Sequence, residues 1–186
     1  MIISAIHIYN LKYIISQQET MHENEIVYLL TGSNIGDRLA FLQQAEKEIE
    51  AKIGTIQAKS SYYESQAWGN TDQENFWNQC LEVNTSLSAE EVLSGVLAIE
   101  KEMGRNRKGE WQAREIDIDI LFYGEKIIKT ESLEVPHKHF HERNFAIIPM
   151  MEINGDYLHP VLELPIDEIF FDCEDTLEVY ILDFDE

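Results

Sequence analysis

The stretch EIDIDILFYG (residues 115–124) alternates acidic and aliphatic residues, and this alternation is typical of a β-strand. It places Asp117 and Asp119 on one face and the isoleucines at positions 116, 118 and 120 on the other, which we expect to face the core. Two carboxylates on one face repel each other unless a cation joins them. Mg²⁺ typically takes one or two carboxylates while substrate phosphates complete its coordination. The alternative is a pair of solvated carboxylates on the outer face of an amphipathic strand.

A basic island immediately precedes this strand, in a chain that carries 14 Lys+Arg against 35 Asp+Glu. It consists of four cations within ten residues: Arg105, Arg107, Lys108 and Arg114. Arginine presents a rigid fork that suits phosphate oxygens. The island alone would indicate a charged surface loop. Beside two carboxylates, it indicates a phosphate site in which a metal and arginines hold a polyphosphate.

The remaining secondary structure predicts the fold class. EIVYLLTGSN, TIQAKSSYYES and FWNQCLEVNTSL read as strands, and EIDIDILFYG is the fourth. A helix capped by Asp37 follows the first strand, and a helix opened by a Ser88–Glu91 capping box follows the third. The order βαββαβ predicts an α+β, ferredoxin-like core, with an antiparallel sheet, helices packed on it and long catalytic loops. A third helix is predicted over residues 143–153, with Pro149 at a break or kink.

Composition limits the partners. A net charge of −21 argues against general nucleic-acid binding, because phosphate backbones attract basic surfaces. The apolar N-terminus MIISAIHIYNLKYII is too short and too interrupted to span a bilayer, so we expect no membrane partner. The two cysteines, Cys80 and Cys173, show no metal or disulfide spacing, which indicates a reduced, cytoplasmic protein, and we expect a monomer.

Three regions are expected along the chain. Residues 1–20 are predicted to be a dispensable extension, since Met21 opens a segment that leads at once into the first strand. Residues 21–160 form the predicted catalytic domain. Residues 161–186 are rich in carboxylates and contain no Lys or Arg, which predicts a solvated acidic segment.

Histidines and aromatic residues supply further candidates. The alternating histidines of VPHKHFHERNF suggest zinc, but a fourth ligand with suitable spacing is missing from the sequence. We therefore expect His137, fixed by Pro136, to bind a phosphate. The aromatic residues near these loops could pack in the core or stack on a flat heterocycle whose edge Asn78 reads. The sequence lacks the P-loop and Rossmann glycine motifs, so a nucleotide would be bound in another way.

These motifs together resemble the 6-hydroxymethyl-7,8-dihydropterin pyrophosphokinases of folate biosynthesis, from about residue 26 to about residue 154. The family's opening GSN lies at residues 32–34, its SS-x-Y at 60–63, its Q-x-x-[YF]-x-N at 73–78 and its PH at 136–137. Its long signature GR-x-R…W…R…D-[IL]-D-[IL] is carried by Gly104, Arg105, Arg107, Trp111, Arg114, Asp117 and Asp119. The long signature is highly specific, whereas GSN alone is weak.

The resemblance implies transfer of pyrophosphate from ATP, the co-substrate, to the hydroxymethyl group of the pterin, with release of AMP. It implies that Asp117 and Asp119 bind two Mg²⁺ ions and that Arg105 and Arg114 hold the phosphates during transfer. The implied ATP site consists of Glu100, Arg107, Lys108, His137 and Arg143. The implied pterin site consists of Ser65, Phe76, Asn78, Trp111 and Phe145. The sequence departs from some members at Ser132 (arginine there) and Lys138 (Tyr or Pro there).

Two other functions remain open at this stage. Nucleotidyltransferases also pair a Gly-Ser turn with D-x-D, but within one strand-turn-helix unit, whereas Ser33 and Asp117 are far apart here. A non-catalytic, partner-binding module on a degenerate scaffold would account for the acidic tail but not for the complete set of charged signature residues.

Overall fold

The structure is a computed structural model that describes residues 24–69, 73–104 and 114–184. The predicted N-terminal extension lies outside these ranges, as do four predicted site residues, Arg105, Arg107, Lys108 and Trp111. Among the described residues, no helix has the length and apolar character needed to cross a bilayer.

An antiparallel sheet of six strands forms the centre of the fold. Its strand order is β5-β1-β4-β3-β8, and β2 also pairs with β4. The strands are β1 (Glu25–Ser33), β2 (Thr55–Lys59), β3 (Tyr63–Ser65), β4 (Phe76–Thr85), β5 (Asp117–Tyr123) and β8 (Val179–Ile181). A separate two-stranded sheet consists of β6 (Ile128–Lys129) and β7 (Glu134–Val135). The central order confirms the predicted ferredoxin-like α+β fold.

Four helices pack on the central sheet: α1 (Arg38–Lys52), α2 (Ala89–Glu102), α3 (Asn144–Asn154) and α4 (Ile166–Asp172). Both predicted N-caps are confirmed. The Asp37 side chain accepts a hydrogen bond from the N–H of Ala40, and Ser88 and Glu91 form a reciprocal capping box. Substituting such a cap typically costs about 1 kcal/mol, so these residues help to fix where each helix begins.

The sheet separates two apolar layers. On one face, Ile118 and Ile120 of β5 pack in a cluster with residues of α1 and α2. On the other face, Leu30 of β1 packs with Phe140, Ile147 and Ile166 from the C-terminal half of the chain. The isoleucines of the IDID stretch therefore face the core as predicted, and the carboxylates between them face the opposite side, where both line a cavity.

Two local predictions need correction, and one irregularity of the sheet was not predicted. TIQAKSSYYES forms two strands rather than one: β2 and β3 both pair with β4, but the pairing is interrupted at residues 60–62, where the hydroxyl of Ser60 accepts the N–H of Cys80 at 2.9 Å. The third helix runs without a break through Pro149, which is buried inside α3, although its ring lacks the N–H that would bond to the carbonyl of Phe145. A register shift between Tyr28 and Leu29 also bulges β5 near residue 121.

The acidic tail is not merely a solvated surface. Its carboxylates are largely at the surface, but Ile166 and Ile169 are buried in the second apolar layer, since α4 packs on the sheet through its apolar side. Strand β8 then joins the central sheet beside β3. Whether the catalytic domain ends at residue 160 stays a prediction.

Candidate active site

Strand register places the candidate residues in rows across the sheet. Gly32 of β1 lies opposite Asn78 of β4 on one side and opposite Asp117 of β5 on the other. Two residues earlier, Leu30 lies between Cys80 and Asp119 in the same way. Residues in one row of an antiparallel sheet project from the same face. Asp117, a predicted metal ligand, and Asn78, predicted to bind the edge of a heterocycle, are therefore separated by a single glycine.

Two cavities meet at this platform. The first, of about 310 Å³, is lined by the predicted pterin residues Ser65, Phe76, Asn78 and Phe145. The second, of about 390 Å³, lies between α2 and the 130–138 segment and includes Glu100 in its wall. Five residues line both cavities: Arg114, Asp117, Asp119, His137 and Lys138. A group that leaves a ligand in one cavity and joins a ligand in the other would pass along this shared wall.

The carboxylates on the shared wall are electrostatically unfavourable when ionised together. Burial, followed by the neighbouring Asp117, raises the pKa of Asp119 from 3.8 to about 7, while Arg143 and Arg114 act in the opposite direction. Arg114 forms a short ion pair with Asp117. Such a pair of carboxylates, partly neutralised by arginines, is suited to a divalent cation.

Glu100 adds a third negative charge near this wall. It is only 2% exposed, and one of its carboxylate oxygens accepts the backbone N–H of Ile118 at 2.9 Å. Ile118 lies between the two aspartates, so this bond fixes the strand at the point where they project. The carboxylate of Glu100 also contributes to the raised pKa of Asp119. Glu100 therefore lies beside the two aspartates in the wall of the second cavity, and its predicted role in ATP binding stays a prediction.

His137 is held as a neutral imidazole. Burial, then the cations Arg143 and Lys138 and the neighbouring His139, lower its pKa from 6.5 to about 4. Its Nδ1 accepts the backbone N–H of His139 at 3.3 Å, which leaves Nε2 to carry the proton. A neutral donor at this position suits a phosphate oxygen. The other two histidines do not complete a metal centre: among the described residues, no group of three or more His, Cys, Asp or Glu could hold a metal ion.

Arg143 lies where the 3-10 turn Phe140–Glu142 ends and α3 begins. Its guanidinium lies 4.4 Å from the ring centroid of Trp68 and 5.7 Å from that of Phe145. The packing of Trp68 against this predicted ATP-site arginine was not predicted from the sequence. Since guanidinium–aromatic stacking orients the fork, Trp68 helps to set the direction of Arg143.

The first cavity also carries buried polar groups that suit the edge of a heterocycle. Asn78 and Ser65 are 3% and 2% exposed, and the amide of Asn78 donates to the hydroxyl of Ser65 at 2.9 Å. Gly32 keeps this part of the cavity open. A Cβ at that position would lie 3.0 Å from the amide oxygen of Asn78 and 3.6 Å from the ring of Phe76.

Asn34 is a residue whose role the sequence did not reveal beyond the GSN turn. Its side-chain oxygen accepts the N–H of Arg114 at 2.7 Å, and its backbone N–H donates to the carbonyl of Arg114 at 3.1 Å. Its amide nitrogen donates to Gln73 and to the carbonyl of Glu74, both at 3.2 Å. One buried amide therefore fastens Arg114 and the 73–74 segment to the end of β1.

All ten predicted site residues within the described ranges line one or both of these cavities. Five of them line the second: Glu100, Arg114, Asp117, Asp119 and His137. Lys138, at a position where the sequence departs from some family members, lines both cavities, and Ser132 lines the second. Arg105, Arg107, Lys108 and Trp111 lie outside the described residues, so their roles stay predictions.

The candidate site is thus built on an α+β fold, at the point where two cavities meet beside paired carboxylates and arginines. Comparison with known proteins gives the family. Residues 28–155 match the sequence model of the 7,8-dihydro-6-hydroxymethylpterin-pyrophosphokinase (HPPK) family. That match spans more than half of the chain, and the chain belongs to this family.

Curated relatives agree. The 2-amino-4-hydroxy-6-hydroxymethyldihydropteridine pyrophosphokinase of Aquifex aeolicus is 41% identical over 154 residues, which cover 83% of this chain and 94% of that protein. The enzyme of the same name from Bacillus subtilis is 41% identical over 131 residues, 70% of this chain and 78% of that one. The chain also matches the folic acid synthesis protein fol1 of Pneumocystis carinii at 40% identity, over 21% of that protein's length.

Solved structures support the fold alone. A Plasmodium falciparum HPPK-DHPS chain, solved with pterin and p-hydroxybenzoate, superposes with a TM-score of 0.66 at 16% identity. The superposition covers 83% of this chain but 42% of that chain, so this protein spans less than half of its structural neighbour.

Proposed function

We propose that this protein transfers a pyrophosphoryl group from ATP to the hydroxymethyl oxygen of 6-hydroxymethyl-7,8-dihydropterin and releases AMP. The observation that carries the proposal is the shared wall of Arg114, Asp117, Asp119, His137 and Lys138 between the two cavities. The first cavity suits the pterin, because aromatic and amide side chains line it. The second suits the ATP phosphates, because cations of the shared wall border it.

The reaction makes one bond and breaks one. The hydroxymethyl oxygen bonds to the β-phosphorus of ATP, and the bond from that phosphorus to the oxygen bridging the α- and β-phosphates breaks. AMP leaves with the bridging oxygen, and the hydroxyl proton is released. Positioning and charge stabilisation dominate such transfers, so the arrangement of the two cavities is itself the main catalytic device.

The donor set fits magnesium. Asp117 and Asp119 would hold two Mg²⁺ ions, which neutralise the phosphates and polarise the phosphorus under attack when bound. The residues of this chain then have distinct roles. Arg114 leaves its ion pair with Asp117 to hold a phosphate, and Nε2–H of His137 donates to a phosphate oxygen. Arg143 lines the first cavity only, but its charge acts on Asp119, so it would contact phosphates held at the shared wall from the pterin side. Glu100 supports the two aspartates through its bond to the N–H of Ile118.

The pterin is bound between aromatic rings and read at its edge. Phe76 and Phe145 stack on its faces, while Asn78 and the Ser65 hydroxyl bind its edge, as buried polar groups that gain partners from the ligand. The roles of Arg105, Arg107, Lys108 and Trp111 in this proposal rest on the sequence resemblance. We further propose a monomer that works in the cytoplasm, in folate biosynthesis, without nucleic-acid or membrane partners.

Product analysis tests the proposal. The protein is incubated with ATP, Mg²⁺ and the hydroxymethyl dihydropterin, and the nucleotide products are separated by chromatography. We expect AMP in an amount equal to the pyrophosphorylated pterin, and none after Asp119→Ala, which removes a metal ligand but no core contact. Release of pyrophosphate instead of AMP would indicate a nucleotidyltransferase. Absence of turnover by the intact protein would favour the non-catalytic module.

A further inference from the structure

The C-terminal segment reaches the candidate site from outside the region that matches the family. The family match ends at residue 155, and the segment after it forms α4 and β8. Its net negative charge would suggest a solubilising tail. The hydrogen bonds of this segment instead connect it to both walls of the first cavity.

The first connection is at the start of α3. Arg143, the residue before this helix, makes no side-chain capping hydrogen bond. Asp175 supplies the cap from the tail: its carboxylate accepts the N–H of Asn144 at 2.9 Å, and its carbonyl accepts the Asn144 side-chain amide at 2.7 Å. The second carboxylate oxygen accepts the N–H of Leu177 at 3.0 Å, which orients the group. The negative charge of this carboxylate also interacts favourably with the positive N-terminal end of the helix dipole.

Asn144 lies directly between the two residues that form this wall. Arg143 and Phe145 both line the first cavity, and both are attached to the backbone that Asp175 holds. A rotation of the first helical turn would therefore move the guanidinium and the ring together. Asp175 touches neither cavity, so it can act only through the residues it positions.

The second connection is at β3, whose Ser65 also lines the first cavity. Strand β8 pairs with β3, with Val179 opposite Ser65, and the N–H of Leu182 donates to the carbonyl of Tyr62 at 2.8 Å. Phe184 then packs edge-on against Trp77, with ring centroids 5.5 Å apart. The tail is thus attached to the strand that carries Ser65. This attachment, through β8, follows Asp175 by only a few residues along the chain.

We propose that the segment from Asp175 to Phe184 is a strap that fixes the spacing between the two walls of the pterin cavity, with Asp175 as its positioning residue. The inference rests on the proposed function insofar as the ligand is the pterin. The strap holds the start of α3 at one end and β3 at the other. It thereby sets the gap between Phe145 and the Ser65–Asn78 pair into which a flat ring would fit.

Binding measurements test the strap. The dissociation constant of 6-hydroxymethyl-7,8-dihydropterin is measured by fluorescence, with Mg²⁺ and an α,β-methylene analogue of ATP present. Asp175→Ala is expected to raise it about fivefold, the equivalent of one lost helix cap. Asp175→Asn keeps an acceptor oxygen and is expected to stay within about twofold of the wild type. Glu174→Ala, which removes the adjacent exposed carboxylate, is the matched control and should have no effect.

A double-mutant cycle of Asp175→Ala and Phe145→Ala distinguishes a positioning role of Asp175 from a general loss of stability. If Asp175 acts through Phe145, adding Asp175→Ala to the Phe145→Ala variant should change the pterin dissociation constant less than about twofold. An equal fivefold loss in both backgrounds would overturn the proposal, and so would an unchanged dissociation constant in Asp175→Ala alone.

Amide exchange tests the strap without any ligand. The N–H of Asn144 is expected to exchange about tenfold faster in Asp175→Ala and at the wild-type rate in Glu174→Ala, measured by NMR. Unchanged protection of that amide would refute the strap even if the protein were an active pyrophosphokinase. Failure of the proposed function would show differently, as absence of pterin binding by the wild-type protein while the exchange effect persists.

Discussion

Replacing Asp119 by asparagine should stabilise the metal-free protein while abolishing its activity. Burial and the neighbouring Asp117 raise the pKa of Asp119 to about 7, so its ionised form costs free energy in the fold. Asparagine has nearly the same shape and carries no charge. The variant therefore removes the electrostatic cost and leaves the packing of β5 intact.

The size and the pH dependence of this gain in stability follow from the raised pKa of Asp119. A rise in pKa from 3.8 to about 7 corresponds to about 4 kcal/mol at high pH. Because water reaches part of the side chain, we expect a gain of ~2 kcal/mol at pH 8. Between pH 4 and 7 the folded state holds a proton that the unfolded state has lost, so wild-type stability falls as pH rises through this window. The difference between the proteins should thus approach zero near pH 4.

Chemical denaturation measures this directly. Urea unfolding of both proteins at pH 4, 6 and 8, with a chelator present, gives the free energy of unfolding, and taking the difference cancels groups common to both. Asp156→Asn, at an exposed position, is the matched control and should change stability by less than about 0.5 kcal/mol.

The same stability measurement with Mg²⁺ and ATP present provides a second test. Mg²⁺ with ATP should stabilise the wild type by mass action and leave Asp119→Asn much less affected. An Asp119→Asn protein that is equally stable or less stable at pH 8, or a difference that does not vary with pH, would refute the reasoning.

Three further predictions concern the neighbouring residues. Gly32→Ala should weaken pterin binding about tenfold and leave ATP binding unchanged in calorimetry, because its Cβ would lie 3.0 Å from Asn78; equal losses for both ligands would contradict the two-cavity assignment. His137→Gln keeps a neutral N–H donor and should bind ATP within about threefold of the wild type, whereas His137→Phe should lose about tenfold in ATP affinity. If ATP affinity rose steeply from pH 7 to 5 in the wild type only, His137 would instead act as a cationic imidazole. Asn34→Ala should lower kcat about tenfold and the free energy of unfolding by about 2 kcal/mol, since it releases Arg114, and a stability loss with normal kcat would confine Asn34 to the fold.

Local patterns predicted the elements whose signals are local. The alternation of residues 115–124 predicted which face of β5 is buried, and the capping box at Ser88 predicted where α2 begins. Both depend on residues close together in the chain. The tail was misjudged because its carboxylates dominate its composition, whereas Ile166 and Ile169 decide its packing.

Tertiary arrangement could not be predicted in the same way. The row of Asn78, Gly32 and Asp117 depends on the register of three strands that are far apart in sequence, and no local pattern encodes that register. The role of Asn34 depends on contacts 80 residues away at Arg114. The resemblance to a family supplied the list of site residues, but only the strand pairing explains why they meet.

The row of Asn78, Gly32 and Asp117 also sets the distance between the predicted pterin-binding amide and the predicted metal ligand. Neighbouring strands lie about 4.8 Å apart, so the backbones at Asn78 and Asp117 are separated by about 10 Å across Gly32. A bicyclic ring read at one edge by Asn78 and lying flat over Gly32 would extend its opposite edge toward the carboxylate. A side chain at position 32 would occupy the path between them. Gly32 lies within β1 and not in a turn, so under the proposed function its lack of a side chain would keep open the strip of sheet on which pterin and ATP meet.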